Sequence, residues 1–289
     1  MHIVTDSGTD VMLSAEERAE LNIHVVPLVV TLDGVSYREG LDITPIDFYK
    51  KLEAGGGLPV TSQPSMGDFA ETYRRLAATD PDILSIHISS GLSGTLNSAR
   101  SAADLVPEAN ITHIDCKTLS AGAGWQVATA ARAIKAGRSV EEAVALTRRI
   151  GDATESLYTL RELKYLIHGG RISHMKGLLA SLLNIKPIIG VEKEGGTYVQ
   201  RGQARAFKGA LNALVDLIAR QHAPGSALRG QVMHSHDPEG ATMLRDMIDA
   251  RFDCEWLPTG ELSLVLGAHT GPTMVGACFA PQETFADIL

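Results

Sequence analysis

Short apolar runs alternate along the chain with longer segments in which apolar positions recur every three or four residues. Runs such as HIVT (2–5), ILSIHIS (83–89) and ITHID (111–115) have the length and composition of buried strands. The segment after Ser65 is typical of a helix, because its large apolar side chains, Phe69, Tyr73 and Leu76, fall on one stripe. This alternation predicts an α/β fold with mostly parallel sheets flanked by helices.

Local signals indicate where several elements begin or turn. A capping residue followed three positions later by an acid, in one case with proline between, predicts helix starts at Ser14, Thr44, Ser65 and Ser139. Asp33-Gly34 separates the runs IHVVPLVVTL and VSYREG, and Gly195-Gly196 separates two later runs, so each pair predicts a hairpin turn.

The strand and helix alternation restarts near residue 153. The strand-like runs after that point are ESLYTL, NIKPIIGVEK, TYVQRG, QVMHSH, CEWLP and TMVGACFA. We therefore expect two α/β domains, residues 1–153 and residues 154–289.

Composition excludes several classes of protein. The chain has 289 residues, of which 44% are hydrophobic and 21% charged, as in soluble globular proteins. Its formal net charge of −8 argues against binding to nucleic acid or an anionic membrane, since both need a basic surface. The sequence shows no run of 18 apolar residues and no secretory pattern at its start, so we expect no integral membrane segment. The three cysteines, Cys116, Cys254 and Cys278, lack zinc spacing and suit reduced thiols in a cytoplasmic protein.

The stretch SSGLSGT (89–95) marks a candidate binding site. It lies where a predicted strand ends and a helix begins, so backbone N–H groups and the positive end of the helix dipole are exposed there. Glycines allow a ligand to approach the backbone, and Ser93 offers the best-placed hydroxyl. A plain helix cap is the alternative, but TSQPS (61–65) is also rich in hydroxyls and also precedes a helix.

Three more polar positions stand in apolar surroundings. Arg205 lies at the entry to a predicted helix, His269 lies between two strand-like runs, and Asp6 with Ser7 ends the first strand. Each has a structural explanation when taken alone, as a solvated helix start, a core histidine or a turn.

Taken in order, these motifs resemble the DegV family. IVTDSGTDV, TSQPS, SSGLSGTLNSA, IDCKTLSAGAG, LKYLIHGGRIS, QARAFKGAL and HTGP span residues 3 to 279 in the family's order. The chain departs from the usual pattern at Cys116, Gly209 and Thr273, none of which is an expected ligand contact.

The resemblance implies a two-domain fold that buries a long-chain fatty acid between its domains and a protein that is not itself an enzyme. The expected carboxylate ligands are Thr61, Ser93, Arg205 and His269, with the Ser62 hydroxyl and the Gly94 backbone nearby. This set of ligands is chemically reasonable, because a buried carboxylate must be paired with a positive charge and hydrogen-bonded. No metal and no cofactor other than the bound fatty acid is expected.

The resemblance further implies a partner, a fatty acid kinase that supplies ATP and metal and phosphorylates the acyl carboxyl. The basic stretch 161–176 is the expected docking surface, with Arg171 central and Lys164 and Lys176 beside it. The alternative is a helix end, with Gly169-Gly170 as the C-cap and basic residues favouring the dipole.

Two other chemistries are compatible with individual residues. Ser93 and His269 would be the nucleophile and base of a serine hydrolase or acyltransferase, although GLSGT does not match the G-x-S-x-G elbow. His234 and His236 alternate on a predicted strand and would converge on a metal, but a turn capped by Asp237-Pro238 is the simpler interpretation.

Overall fold

The computed structural model describes residues 1–55, 57–174 and 185–288, and within them the predicted α/β fold is confirmed. The first sheet has the strand order β2-β1-β6-β7, and every neighbouring pair is parallel, as predicted. Its strands are β1 (His2–Asp6), β2 (Ile23–Val26), β6 (Asp82–His87) and β7 (Asn110–Asp115).

A small antiparallel sheet in the order β4-β3-β5 lies beside the first one. It consists of β3 (Val29–Leu32), β4 (Val35–Arg38) and β5 (Val60–Ser62). The predicted turn between β3 and β4 is confirmed, with positive φ at both Asp33 and Gly34. The run IHVVPLVVTL was wrong as a single strand: β2 ends before Pro27, which has no N–H for a ladder, and β3 joins the other sheet.

Six helices accompany these strands: α1 (Ala15–Glu20), α2 (Pro45–Glu53), α3 (Met66–Ala77), α4 (Thr95–Ala103), α5 (Ser120–Lys135) and α6 (Val140–Ala153). The four predicted helix starts are confirmed, and Ser14, Ser65 and Ser139 each form a reciprocal capping box. The predicted stripe on α3 is buried against the parallel sheet.

The second large sheet contradicts the prediction of mostly parallel strands. Its order is β10-β9-β8-β14-β11-β12, with β13 also beside β11, and among the described strands only β12 and β13 run parallel to their neighbour. The reason is topological: β9 and β10 form the hairpin predicted at Gly195-Gly196, and the last strand inserts between β8 and β11. The strands are β8 (Glu155–Thr159), β9 (Lys186–Val191), β10 (Tyr198–Ala204), β11 (Ala227–His234), β12 (Asp253–Trp256), β13 (Gly260–Glu261) and β14 (Val275–Pro281).

The part of the chain that the structure describes places four helices with the second sheet: α7 (Lys164–His168), α8 (Phe207–Ala219), α9 (Pro238–Asp249) and α10 (Leu264–Thr270). Helix α10, which carries His269, was missed by the sequence patterns. It packs against α7 on one side and against β3 and β5 on the other, so it joins the two parts of the chain. The strands before and after residue 153 belong to separate sheets, and the boundary itself stays a prediction.

None of the helices in the described ranges is both long enough and apolar enough to span a bilayer.

Candidate functional site

Thr61 and His269, which are 208 residues apart in the sequence, meet in the structure. The Thr61 Oγ1 and His269 Nε2 atoms share a hydrogen bond of 2.8 Å. Thr61 lies on β5 and is half-buried, whereas His269 lies in the last turn of α10 and is only 7% exposed. The two predicted ligands therefore form one polar pair in otherwise apolar packing.

The His269 imidazole fits tightly against Gly169, the C-cap of α7. A Cβ at residue 169 would come within 3.0 Å of His269 Nδ1, closer than real Cβ contacts. Burial, together with the charges of Arg171 and His168, lowers the pKa of His269 to about 4. The imidazole is therefore neutral at pH 7.

Arg171 supplies the positive charge nearest to this pair. It begins the short 3₁₀ segment after α7, it is half-buried, and its Nη1 donates a hydrogen bond of 2.7 Å to the Gly169 carbonyl. Its charge acts on both His269 and Tyr198. Arg171, expected at a docking surface, thus lies beside the candidate ligand site.

The SSGLSGT loop lies between β6 and α4 and touches the second part of the chain. Ser93 Oγ shares a 2.8 Å hydrogen bond with Thr95 Oγ1 and accepts a second from the Thr95 backbone N–H. Ser89 Oγ donates to the Gly196 carbonyl at 2.8 Å, and a Cβ at Gly91 would collide with the Gly195 carbonyl. Gly91 is therefore required in this motif because a larger residue would keep the β9–β10 hairpin from packing against the SSGLSGT loop.

Gly94 connects this loop to the TSQPS segment. It is the N-cap of α4 and stands against the Gln63 side chain, two residues after Thr61. The two hydroxyl-rich motifs are thus adjacent in space, as the sequence analysis expected.

A narrow apolar cavity lies between the second sheet and α10, the helix that carries His269. Residues 119–121, before and within the start of α5, form one wall, and the second sheet with α10 forms the rest. The side chains that line it from the second part of the chain include Tyr158, Val191, Tyr198, Met233, Leu266 and Met274. Thr270, the residue after His269, lines the cavity, and so does Tyr198, on which the charge of Arg171 acts as it does on His269. One end of the cavity therefore lies in the same part of the fold as the polar pair.

Other predicted site residues lie on the surface. Ser62 is exposed on β5. Arg205 is exposed between β10 and α8, at the end of β10 opposite the hairpin that touches the SSGLSGT loop. The seven residues of β10 separate it from that hairpin by about 23 Å. Lys164 is exposed and pairs with Glu162 at 2.7 Å, and Lys176 lies outside the described residues.

The geometry does not form a hydrolase triad. His269 Nε2 bonds to Thr61 rather than to Ser93, and its buried Nδ1 has no hydrogen-bond partner among the described residues. A catalytic base of this type needs both the nucleophile and an orienting acid.

The turn interpretation of the HSHD segment is confirmed. Asp237 caps α9 by accepting from the Gly240 N–H, and the His236 ring stacks on Tyr49. Within the described parts of the chain, no group of three or more His, Cys, Asp or Glu side chains is arranged to hold a metal ion.

Sequence reasoning missed two features of this site. One is Arg171 as the neighbouring charge, although the spacing of GGR after a short helix gives a signal. The other is Gly169, whose lack of a side chain makes room for a ring 100 residues later, which no local pattern indicates.

Comparisons with known proteins agree on one family. A family model described as "Uncharacterised protein, DegV family" matches residues 1–282. A DegV domain-containing protein of Deinococcus radiodurans is 34% identical over 279 residues, covering 96% of this chain and 95% of the relative. One from Staphylococcus aureus MRSA252 is 35% identical over 274 residues, covering 95% and 96%.

Solved structures match the whole fold. A fatty-acid-binding DegV family protein from Thermus thermophilus has a TM-score of 0.86 at 33% identity, covering 97% of this chain and 99% of that one. DegV from Bacillus subtilis, described as a fatty acid binding protein, has a TM-score of 0.85 at 27% identity, with 97% and 99% covered. A stearic-acid-binding protein from Eubacterium ventriosum has a TM-score of 0.83 at 26% identity, with 98% and 99% covered.

Proposed function

This chain belongs to the DegV family, and from that premise we propose that it binds a long-chain fatty acid with its tail in the apolar cavity and its carboxylate beside His269. The observation that carries the proposal is the closeness of two features: an apolar cavity lined by Thr270, and the buried imidazole of the preceding residue, His269, which is hydrogen-bonded to a threonine.

The tail contributes the driving force. Burial of each CH₂ stabilises the complex by about 0.8 kcal/mol, so a chain of roughly 15 methylenes gains on the order of 12 kcal/mol before the costs of association are subtracted. A four-carbon acid gains only about 2 kcal/mol by the same rule. The chemistry of the cavity therefore favours long aliphatic acids.

The carboxylate is held by hydroxyls and by positive charge. Thr61, Ser93 and His269 supply hydrogen-bond donors, Ser62 and the Gly94 backbone border them, and Arg205 is the guanidinium that the family resemblance assigns. Because the charge of Arg171 acts on His269 directly, Arg171 is a second candidate for that ionic contact.

In the same proposal the protein presents the carboxylate to a separate kinase and carries no catalytic residue of its own. The partner supplies ATP and metal and docks on the basic stretch 161–176, in which Arg171 and Lys164 lie among the described residues and Lys176 lies outside them. In this proposal the protein acts in the cytoplasm.

Lipid extraction of the purified protein followed by mass spectrometry tests the binding proposal. We expect a long-chain fatty acid, and delipidated protein should bind added palmitate or oleate. A protein that carries no lipid and ignores both acids would contradict the proposal.

The two arginines can be separated by substitution. Arg171→Ala and Arg205→Ala are compared for palmitate affinity, with Arg220→Ala, an exposed arginine at the end of α8, as the matched control. The arginine that contacts the carboxylate should lower affinity by roughly 1–3 kcal/mol when removed. An Arg171→Ala variant that keeps its affinity, but whose bound fatty acid is phosphorylated poorly by a kinase partner, would assign Arg171 to docking alone.

A further inference from the structure

The long axis of the apolar cavity runs along helix α10. Thr270 and Leu266 line it from successive turns of the helix, and Leu262 lines it from just before the helix begins. His269 and Thr61 stand at the Thr270 end. Leu262 therefore belongs to the opposite end of the cavity.

Two other residues that line the cavity, Ser120 and Met233, also lie near the junction of β13 and α10, where Leu262 stands. Ser120, which lines the cavity, donates a 2.6 Å hydrogen bond to Asp10, and Asp10 also accepts from the Ser263 N–H at 2.9 Å. Met233, another lining residue, stands against Gly260 in β13. The residues around Leu262 thus close the cavity from several sides.

A second, larger cavity lies beyond Leu262 and opens to the outside. Leu262 lines both cavities and is only 4% exposed, so its side chain is part of the wall between them. The outer cavity is bordered by Met12, Val25 and Leu41, three large apolar side chains that are exposed to solvent.

We propose that Leu262 is the end wall of the acyl cavity and sets the longest chain that the protein accepts. This inference rests on the proposed function. With Leu262 in place, the methyl end of the tail stops at its side chain; without it, the inner cavity is continuous with the apolar border of the outer one.

The charged groups at the two ends of the cavity favour the same orientation of the ligand, with its carboxylate near His269 and its methyl end near Leu262. His168 and Arg171 lie close enough to His269 to act on its pKa, so that end attracts a carboxylate. Buried Asp10 and half-buried Glu39 flank the Leu262 end, and burial raises the pKa of both acids. The same desolvation disfavours a ligand carboxylate at that end, whereas a methyl group carries no such penalty.

The backbone directly after Leu262 is fixed by two hydrogen bonds. Ser263 N–H donates to Asp10, and the next backbone N–H, that of Leu264, donates to Glu39. Because both residues after Leu262 are bonded to carboxylates from the first part of the chain, Leu262 has little freedom to move aside. Its side-chain size should therefore decide the length limit.

The experiment measures affinities of delipidated protein for a series of saturated acids of about 12 to 22 carbons by competition with a fluorescent fatty acid. Each CH₂ that finds room should tighten binding about fourfold, and each one beyond the wall should add nothing. The length at which the gain stops is the quantity of interest. Leu262→Ala should move that plateau to longer chains, and Leu262→Phe should move it to shorter ones.

Leu264→Ala is the matched control, since Leu264 is equally buried and lines only the outer cavity. It should lower stability without moving the plateau. A plateau that stays at one chain length in both Leu262 variants, while wild type binds fatty acids, overturns the end-wall inference and leaves the proposed function intact. Wild-type protein that binds no acid in the series refutes the proposed function itself. If Leu262→Ala does not fold, the Leu262→Phe shift decides.

Discussion

The contact between Gly169 and His269 allows a sharp test of the site. In Gly169→Ala, the new Cβ would come within 3.0 Å of His269 Nδ1, whereas ordinary contact begins at 3.4 Å. The ring cannot simply retreat, because its Nε2 already lies 2.8 Å from Thr61 Oγ1. It must therefore rotate away from Thr61.

The magnitude follows from what the rotation loses. An off-rotamer side chain costs about 1 kcal/mol, and the lost hydrogen bond costs about another 1 kcal/mol. The free energy of unfolding should then fall by about 2 kcal/mol, and palmitate affinity should fall as well, because the displaced ring no longer faces the carboxylate. Backbone strain contributes nothing, since Gly169 has φ −66° and alanine adopts that conformation freely.

Two further variants isolate the cause. Gly209→Ala on α8 is the control, because its Cβ would meet only Ala204 at an ordinary 3.5 Å. In a His269→Ala background the collision has no partner, so Gly169→Ala should there be neutral or stabilising by about 0.4–1 kcal/mol. Calorimetry and palmitate titration measure both quantities. Equal destabilisation by Gly169→Ala with and without the His269 ring would refute the reasoning.

Substitutions at three positions, His269, Asp10 and Gly91, have further expected outcomes. The lowered pKa of His269 means that the unfolded chain binds a proton between pH 6.5 and about 4 that the folded chain does not, so stability should fall by up to about 3 kcal/mol as pH drops through that window. His269→Gln should flatten that part of the pH–stability curve measured by urea unfolding, and an unchanged curve would contradict the assignment. Asp10→Ala should lower the free energy of unfolding by roughly 1–3 kcal/mol in the same assay, because it leaves the Ser263 N–H without its acceptor, while Asp10→Asn, which keeps an acceptor and tolerates the positive φ there, should cost less. Gly91→Ala should loosen the packing of the β9–β10 hairpin, seen as faster hydrogen exchange around residue 196, and unchanged exchange there would count against a tight contact with the Gly195 carbonyl.

The sequence predicts best what depends on neighbouring residues. The capping boxes at Ser14, Ser65 and Ser139 and the turn at Asp33-Gly34 follow from side chains that reach only a few positions along the chain, and all are confirmed. Strand direction in the second sheet depends instead on β14, which inserts between β8 and β11 from the far end of the chain. No local pattern encodes that choice.

Helix α10 shows why part of the site was missed. All seven of its residues are buried, so it lacks the polar face that distinguishes an amphipathic helix from a strand. Thr61, Ser93 and His269 were nonetheless singled out, because polar groups in or beside apolar runs stand out regardless of the element that carries them, and the structure brings Thr61 and His269 together. Arg205 was chosen by the same reasoning and is exposed. The ligand role of these four residues stays a prediction.

The pairing of Thr61 with His269 also limits what hydrogen bonds can contribute to binding. A carboxylate that accepts from Thr61 replaces a hydrogen bond that already exists, so the exchange yields less than a new bond would. The net gain at the head must come from charge, and the cationic group whose field reaches His269 most strongly is Arg171. An anionic ligand would also offset the effects that keep the imidazole neutral and raise the His269 pKa, so binding near pH 5 should take up a proton. A resonance of His269 that titrates identically with and without palmitate would show that the carboxylate lies elsewhere.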